Sequence, residues 1–80
     1  MDAIEQIAAK ANELKSTVEQ FIGNKSDKQY IYLEEMLTQL LIKLDKIDSD
    51  GQDNIRTMRK NAVRTVQMTI DQLELKAAAA

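Results

Sequence analysis

Apolar residues recur along this chain at alternating intervals of three and four, in three separate blocks. In the first block Ile4, Ile7, Ala11, Leu14, Val18 and Phe21 share one stripe, because residues three and four apart lie on the same face of a helix. The second block repeats the spacing with Tyr30, Leu33, Leu37, Leu40, Leu44 and Ile47, and Met36 and Leu41 widen its face enough to touch two neighbours. The third carries Ile55, Met58, Ala62, Val66, Thr69 or Ile70, and Leu73. Gly23 and Gly51, the two glycines, separate the blocks, and each lies in a polar cluster. Proline is absent, so nothing else interrupts a helical reading. The pattern predicts helices over residues 3–22, 27–47 and 52–76.

Local signals mark the predicted ends. Asp2 with Glu5, Ser26 with Gln29, and Ser49 with Gln52 have the spacing of capping boxes. Gly23 suits the left-handed position that closes a helix. Two short loops force antiparallel neighbours, so the expected fold is all-α: an up-down-up, antiparallel three-helix bundle with shallow crossing angles. Helices of about twenty residues at ~1.5 Å per residue make a rod ~30 Å long. The domain is placed at residues 3–76, and residues 77–80 are set aside as a tail, either frayed helix or an artificial appendage. Tyr30 reads as core and Tyr32 as surface, and Met36, Met58 and Met68 read as packing or incidental residues.

Composition narrows the function classes. A chain of 80 residues makes one domain, and a domain of that size buries only ~60% of the surface its unfolded chain exposes, which leaves little support for a catalytic cleft. Without Cys or His there is no disulfide, thiolate site or imidazole proton shuttle. The expectation is no enzyme, no cofactor and no metal. No apolar run exceeds Leu40-Leu41-Ile42, and the start lacks a secretory pattern, so the reading is a soluble cytoplasmic domain with no membrane association.

Charge changes the picture more. Acids outnumber bases 13 to 11, yet the stretch "NIRTMRKNAVRTVQ" at residues 54–67 gathers Arg56, Arg59, Lys60 and Arg64 with no acid among them. At ~100° per residue, Glu34, Thr38, Leu41 and Asp45 fall on one line at the edge of the second helix's apolar face, and Glu35 points toward solvent. Arg56, Arg59, Val63, Gln67 and Ile70 form a comparable line beside the third helix's stripe. With the connection centred near residue 50, Asp45 should lie level with Arg56 and Arg59, and Glu34 with Gln67.

Two meanings compete for these lines. They are either solvated flanks joined by interhelical ion pairs, each worth under ~1 kcal/mol, or a docking face for a partner that offers both acids and bases. On the docking reading Arg59 is the best anchor, since a guanidinium grips a carboxylate through two parallel hydrogen bonds. Its replacement by Ala should then weaken binding and leave unfolding nearly unchanged.

Other chemistries fit less well. Nucleic-acid binding is disfavoured by the acidic balance, the spread of the basic residues over more than one face and the lack of interleaved aromatics. A calcium loop at Asp48-Ser49-Asp50-Gly51 fails because Lys46 occupies the first ligand position and Thr57 the place of the bidentate Glu. A helical scaffold that self-associates through residues such as Leu14 or Leu40 is the main non-enzymatic rival.

"SDKQYIYLEEMLTQLLIKLDKID" followed by "GQDNIRTMRKNAVRTVQMTIDQLE" resembles the BAG domain, in the shorter form found in the athanogene family of chaperone regulators. The likeness covers roughly residues 3–75. It is most specific in Asp27-Lys28-x-Tyr30, in Leu33 through Thr38, in Leu44-Asp45, in Gly51-Gln52-Asp53, and from Arg56 through Gln67. The first helix matches in pattern more than in identity.

The resemblance implies a monomeric co-chaperone module that binds the ATPase domain of 70-kDa heat-shock chaperones and promotes ADP release by favouring the open cleft. By motif it implies partner contacts at Glu34, Asp45, Arg59 and Gln67, with Lys60 as a neighbouring contact, and the two lines above add Thr38, Arg56 and Val63 as secondary members of the face. Glu34, Asp45, Arg59 and Gln67 also lie on the two lines above. Lys60 sits further round its helix. Glu34 and Glu35 are alternatives by motif, and the shared line with Asp45 selects Glu34.

Overall fold

A computed structural model describes residues 3–48 and 50–79, with Ala79 by its backbone. It contains α1 (Ala3–Gln20), α2 (Lys28–Asp45) and α3 (Asp53–Ala79), each packed against the other two. The molecule is a rod of 44 × 17 × 17 Å. All six stripe residues of α1 and its exit, from Ile4 to Phe21, are buried, as are Tyr30, Leu33, Leu37, Leu40 and Leu44. From α3 the core takes Ala62, Val66, Thr69, Leu73 and Ala77, with Ile55, Met58 and Ile70 half-buried at its margin. Thr69 satisfies its hydroxyl internally, donating to the Thr65 carbonyl at 2.8 Å, so a polar residue occupies the core without an orphaned group.

The helix ends depart from the pattern, each for a local reason. α1 stops at Gln20 because Phe21 leaves the helical path, its N–H bonded to the Val18 carbonyl at 3.0 Å, to set its ring 6.3 Å from that of Tyr30. Gly23 is not in the left-handed region; among the described residues only Asp50 (φ 54°) and Gly51 (φ 76°) are. What Gly23 supplies is space, since a Cβ there would stand 1.9 Å from Asp27 Oδ2. That carboxylate accepts the Asn24 N–H at 2.8 Å, and Asn24 Oδ1 accepts the Ser26 N–H at 2.9 Å, which closes the loop on itself.

The Ser26–Gln29 capping box is therefore not formed. Asp27 is the N-cap residue, in extended geometry, and its carboxylate points back into the loop instead of capping α2. The boxes proposed from Asp2 and Ser49 lie outside the described residues. α2 ends at Asp45 with a tightened turn, in which the Lys46 N–H is shared between the Ile42 and Lys43 carbonyls and the Ile47 N–H reaches that of Leu44.

α3 does not stop at Lys76. It continues to Ala79 and buries Ala77 to 4% exposure, one core step beyond Leu73. Alanine is the best helix former, so the segment needs little packing to stay helical. Its 27 residues at ~1.5 Å each account for a rod longer than the ~30 Å expected.

Candidate partner-binding groove

The edges of the α2 and α3 core stripes converge because both flank the same buried seam. Thr38, Leu41 and Asp45 from α2 face Arg59, Val63 and Gln67 from α3 across a shallow hollow of about 440 Å³. Ile42 and Leu44 complete its walls. Six positions on the two predicted lines thus meet in one concavity, with an acid on one bank and a base and an amide on the other.

Arg59 is held more firmly than a solvated flank would be. Its Nη1 donates to the Ile47 carbonyl at 2.7 Å from a half-buried position. The chain leaving a helix exposes carbonyls with no intrahelical donor, and a cation suits that end of the helix dipole. The bond uses one of the five guanidinium donors and orients the rest beside the groove. Asp45 does not share in it. Its carboxylate makes no hydrogen bond or ion pair among the described residues, although it lines the same hollow.

Interhelical ion pairs do not join the banks. Among the described residues the ion pairs are Lys10–Glu13 at 3.5 Å and Arg56–Asp53 at 3.7 Å, each within one helix and exposed. The second pair draws Arg56 along the outer surface of α3, and Arg56 does not line the hollow. Of the two basic residues expected level with Asp45, Arg59 alone lines the hollow with it. Lys60 is exposed and likewise outside the hollow, in keeping with its position further round the helix.

Glu34 stands one turn beyond the groove. It lines an adjoining hollow of about 400 Å³ that shares Thr38 and Ile42 with the first and also includes Glu35. The two glutamates differ in setting, since Glu34 is half-buried and Glu35 exposed. Interaction of its hydroxyl with the Glu34 carboxylate, then burial, then the negative charges of Glu34 and Glu74 hold the Tyr30 phenol above its ordinary value of 10.0.

Sequence reasoning missed two participants. Ile42 is 50% exposed and lines both hollows, an apolar residue off the core stripe whose signal was its place four residues after Thr38. Lys76, set at the edge of the domain, donates its Nζ to the Glu19 carbonyl and so neutralises the end of α1, which has no basic residue in its own last turn. Among the described residues no cluster of acids could hold a metal ion, and no helix is long and apolar enough to cross a membrane.

The family of BAG domains matches residues 4–76, nearly the whole chain. The chain belongs to the BAG domain family. It is 44% identical over 70 residues to BAG family molecular chaperone regulator 4 of Homo sapiens, covering 88% of this chain and 15% of that protein. It is 40% identical to human regulator 3 and 39% to human regulator 5, in each case over 74 residues and 92% of this chain. Those alignments span 13% and 17% of the two relatives, so this BAG domain corresponds to a small part of each of the longer proteins. The matched region contains both banks of the groove.

Proposed function

We propose that this BAG domain is a co-chaperone module that binds the ATPase domain of a 70-kDa heat-shock chaperone through the α2–α3 face and promotes release of ADP. One observation carries the reading: Asp45, Arg59 and Gln67 line a single concavity between two helices, with the acid unpaired among the described residues and the base pinned by its own backbone contact. The relatives' names, as molecular chaperone regulators, supply the class of partner.

The mechanism is linkage. A bilobed ATPase exchanges between closed and open clefts, and a ligand shifts that balance only by its difference in affinity for the two. A rod that contacts both lobes and resists bending is complementary to one spacing of them. Contacts between all three pairs of helices and the Arg59 and Lys76 links at opposite ends of α3 support that stiffness. Glu34, Asp45, Arg59 and Gln67 are the principal contacts, Lys60 is a neighbouring one, and Thr38 and Val63 shape the surface between them.

Self-association through the apolar seam is the weaker reading, because Leu14 and Leu40 are already buried inside the bundle. The test is release of a fluorescent ADP analogue from a purified chaperone ATPase domain. Faster release in the presence of this protein is expected. Binding without acceleration would remove the exchange function, and no binding would remove the proposal entirely.

A further inference from the structure

On the other side of α2 lies a further hollow, of about 410 Å³, between α1 and α2. Ile7 and Leu40, both buried in the core, form its floor, half-buried Ile47 adds an apolar wall, and Lys10, Lys43 and Lys46 contribute positive charge. We propose that it is a docking surface for an acidic protein segment that carries apolar side chains. Among the described residues no acid lines this hollow, in a chain where acids outnumber bases. Lys43 and Lys46 make no side-chain bond among the described residues, and Lys10 is engaged only by the exposed Glu13, in a class of pair worth under ~1 kcal/mol.

The preference of cations for helix C-termini explains lysines near the end of α2. It does not explain Lys10, which comes from the first half of the antiparallel α1 and converges on the same apolar floor. A carboxylate-rich segment would meet all three ammonium groups while burying an apolar side chain between the helices. Such charge matching steers encounter and sets the register of the bound segment.

The hollow shares no lining residue with the α2–α3 groove. At ~100° per residue, Leu40 and Lys43 lie on roughly the opposite side of α2 from Thr38, Leu41 and Asp45. The two faces are therefore open to different partners at once, and the proposal stands whether or not the groove binds a chaperone.

The probe is a short fluorescein-labelled peptide of aspartate and glutamate around two leucines, followed by anisotropy and by amide shift mapping of the isotope-labelled protein. Saturable binding is expected, with shifts concentrated around residues 6–10 and 43–47. Lys43→Gln combined with Lys46→Gln should weaken it at least ~tenfold, with thermal unfolding recorded in parallel. Lys10→Gln, on the facing helix, should weaken it as well and serves if the double variant folds poorly. Shifts centred on Arg59 and Gln67, equal affinity for a peptide with serine in place of leucine, or unchanged affinity in the variants would each overturn the proposal. So would capture by phosphatidylserine vesicles without binding of the peptide, which would mark a lipid-facing patch.

Discussion

Replacing Arg59 with Ala should do two separable things. It removes the 2.7 Å bond to the Ile47 carbonyl, and it removes the cation from the groove. A hydrogen bond to a charged group contributes ~1.5–3 kcal/mol, and at a half-buried site water recovers part of that, which leaves about 1 kcal/mol. In a domain of this size such a loss lowers Tm by roughly 4–8 °C. An 80-residue domain has a stability of ~4–12 kcal/mol, so the variant stays folded at 25 °C and any loss of binding there reflects the missing contact. Truncating a charged anchor in a desolvated interface costs ~2–5 kcal/mol, a weakening of ~30-fold or more. Thermal unfolding by circular dichroism reads the first effect, and calorimetric titration against a chaperone ATPase domain reads the second. An unchanged Tm would refute the backbone link, and unchanged affinity would refute the groove. The expected fall in Tm departs from the expectation based on sequence, in which replacing Arg59 leaves unfolding nearly unchanged.

Glu34→Ala should weaken chaperone binding more than Glu35→Ala, and the reverse order would move the contact to the exposed residue. Glu34→Gln should bring the Tyr30 phenol back toward its ordinary value in an ultraviolet titration. Because that group is raised in the folded state, its stabilisation is complete below pH ~10 and is lost as pH climbs through the higher folded value. Gly23→Ala should destabilise by about 1 kcal/mol, since its Cβ displaces the Asp27 carboxylate from the Asn24 N–H. Combined with Asp27→Ala its effect should shrink, and full additivity in urea unfolding would show that the clash is elsewhere. Lys76→Gln should lower Tm by a few degrees by freeing the Glu19 carbonyl; no change would mean that the link is dispensable.

The helices and their inward faces were legible in the sequence because each stripe repeats over several turns, so no single residue decides it. The groove was legible for the same reason. Thr38, Leu41 and Asp45 on one helix, with Arg59, Val63 and Gln67 on the other, border buried stripes that must pack together, and the short loop between the helices sets their level. The end of α3 was less legible: the helix runs on past residue 76 because Ala77 extends the α3 stripe by the usual four residues, yet it is too small to register as an apolar signal.

What only the tertiary structure decided are contacts between parts of the chain that periodicity does not relate. Arg59 reaches a carbonyl 12 residues back and Lys76 one 57 residues back, and both bonds depend on where helix ends come to rest after packing. Gly23 is required by the position of one carboxylate in a loop, and Lys10 meets Lys43 and Lys46 only because two antiparallel helices place them across the same hollow. A periodic sequence specifies faces, because burial acts on every turn alike. The ends of helices carry unsatisfied groups whose partners come from whichever residues the finished bundle brings within reach.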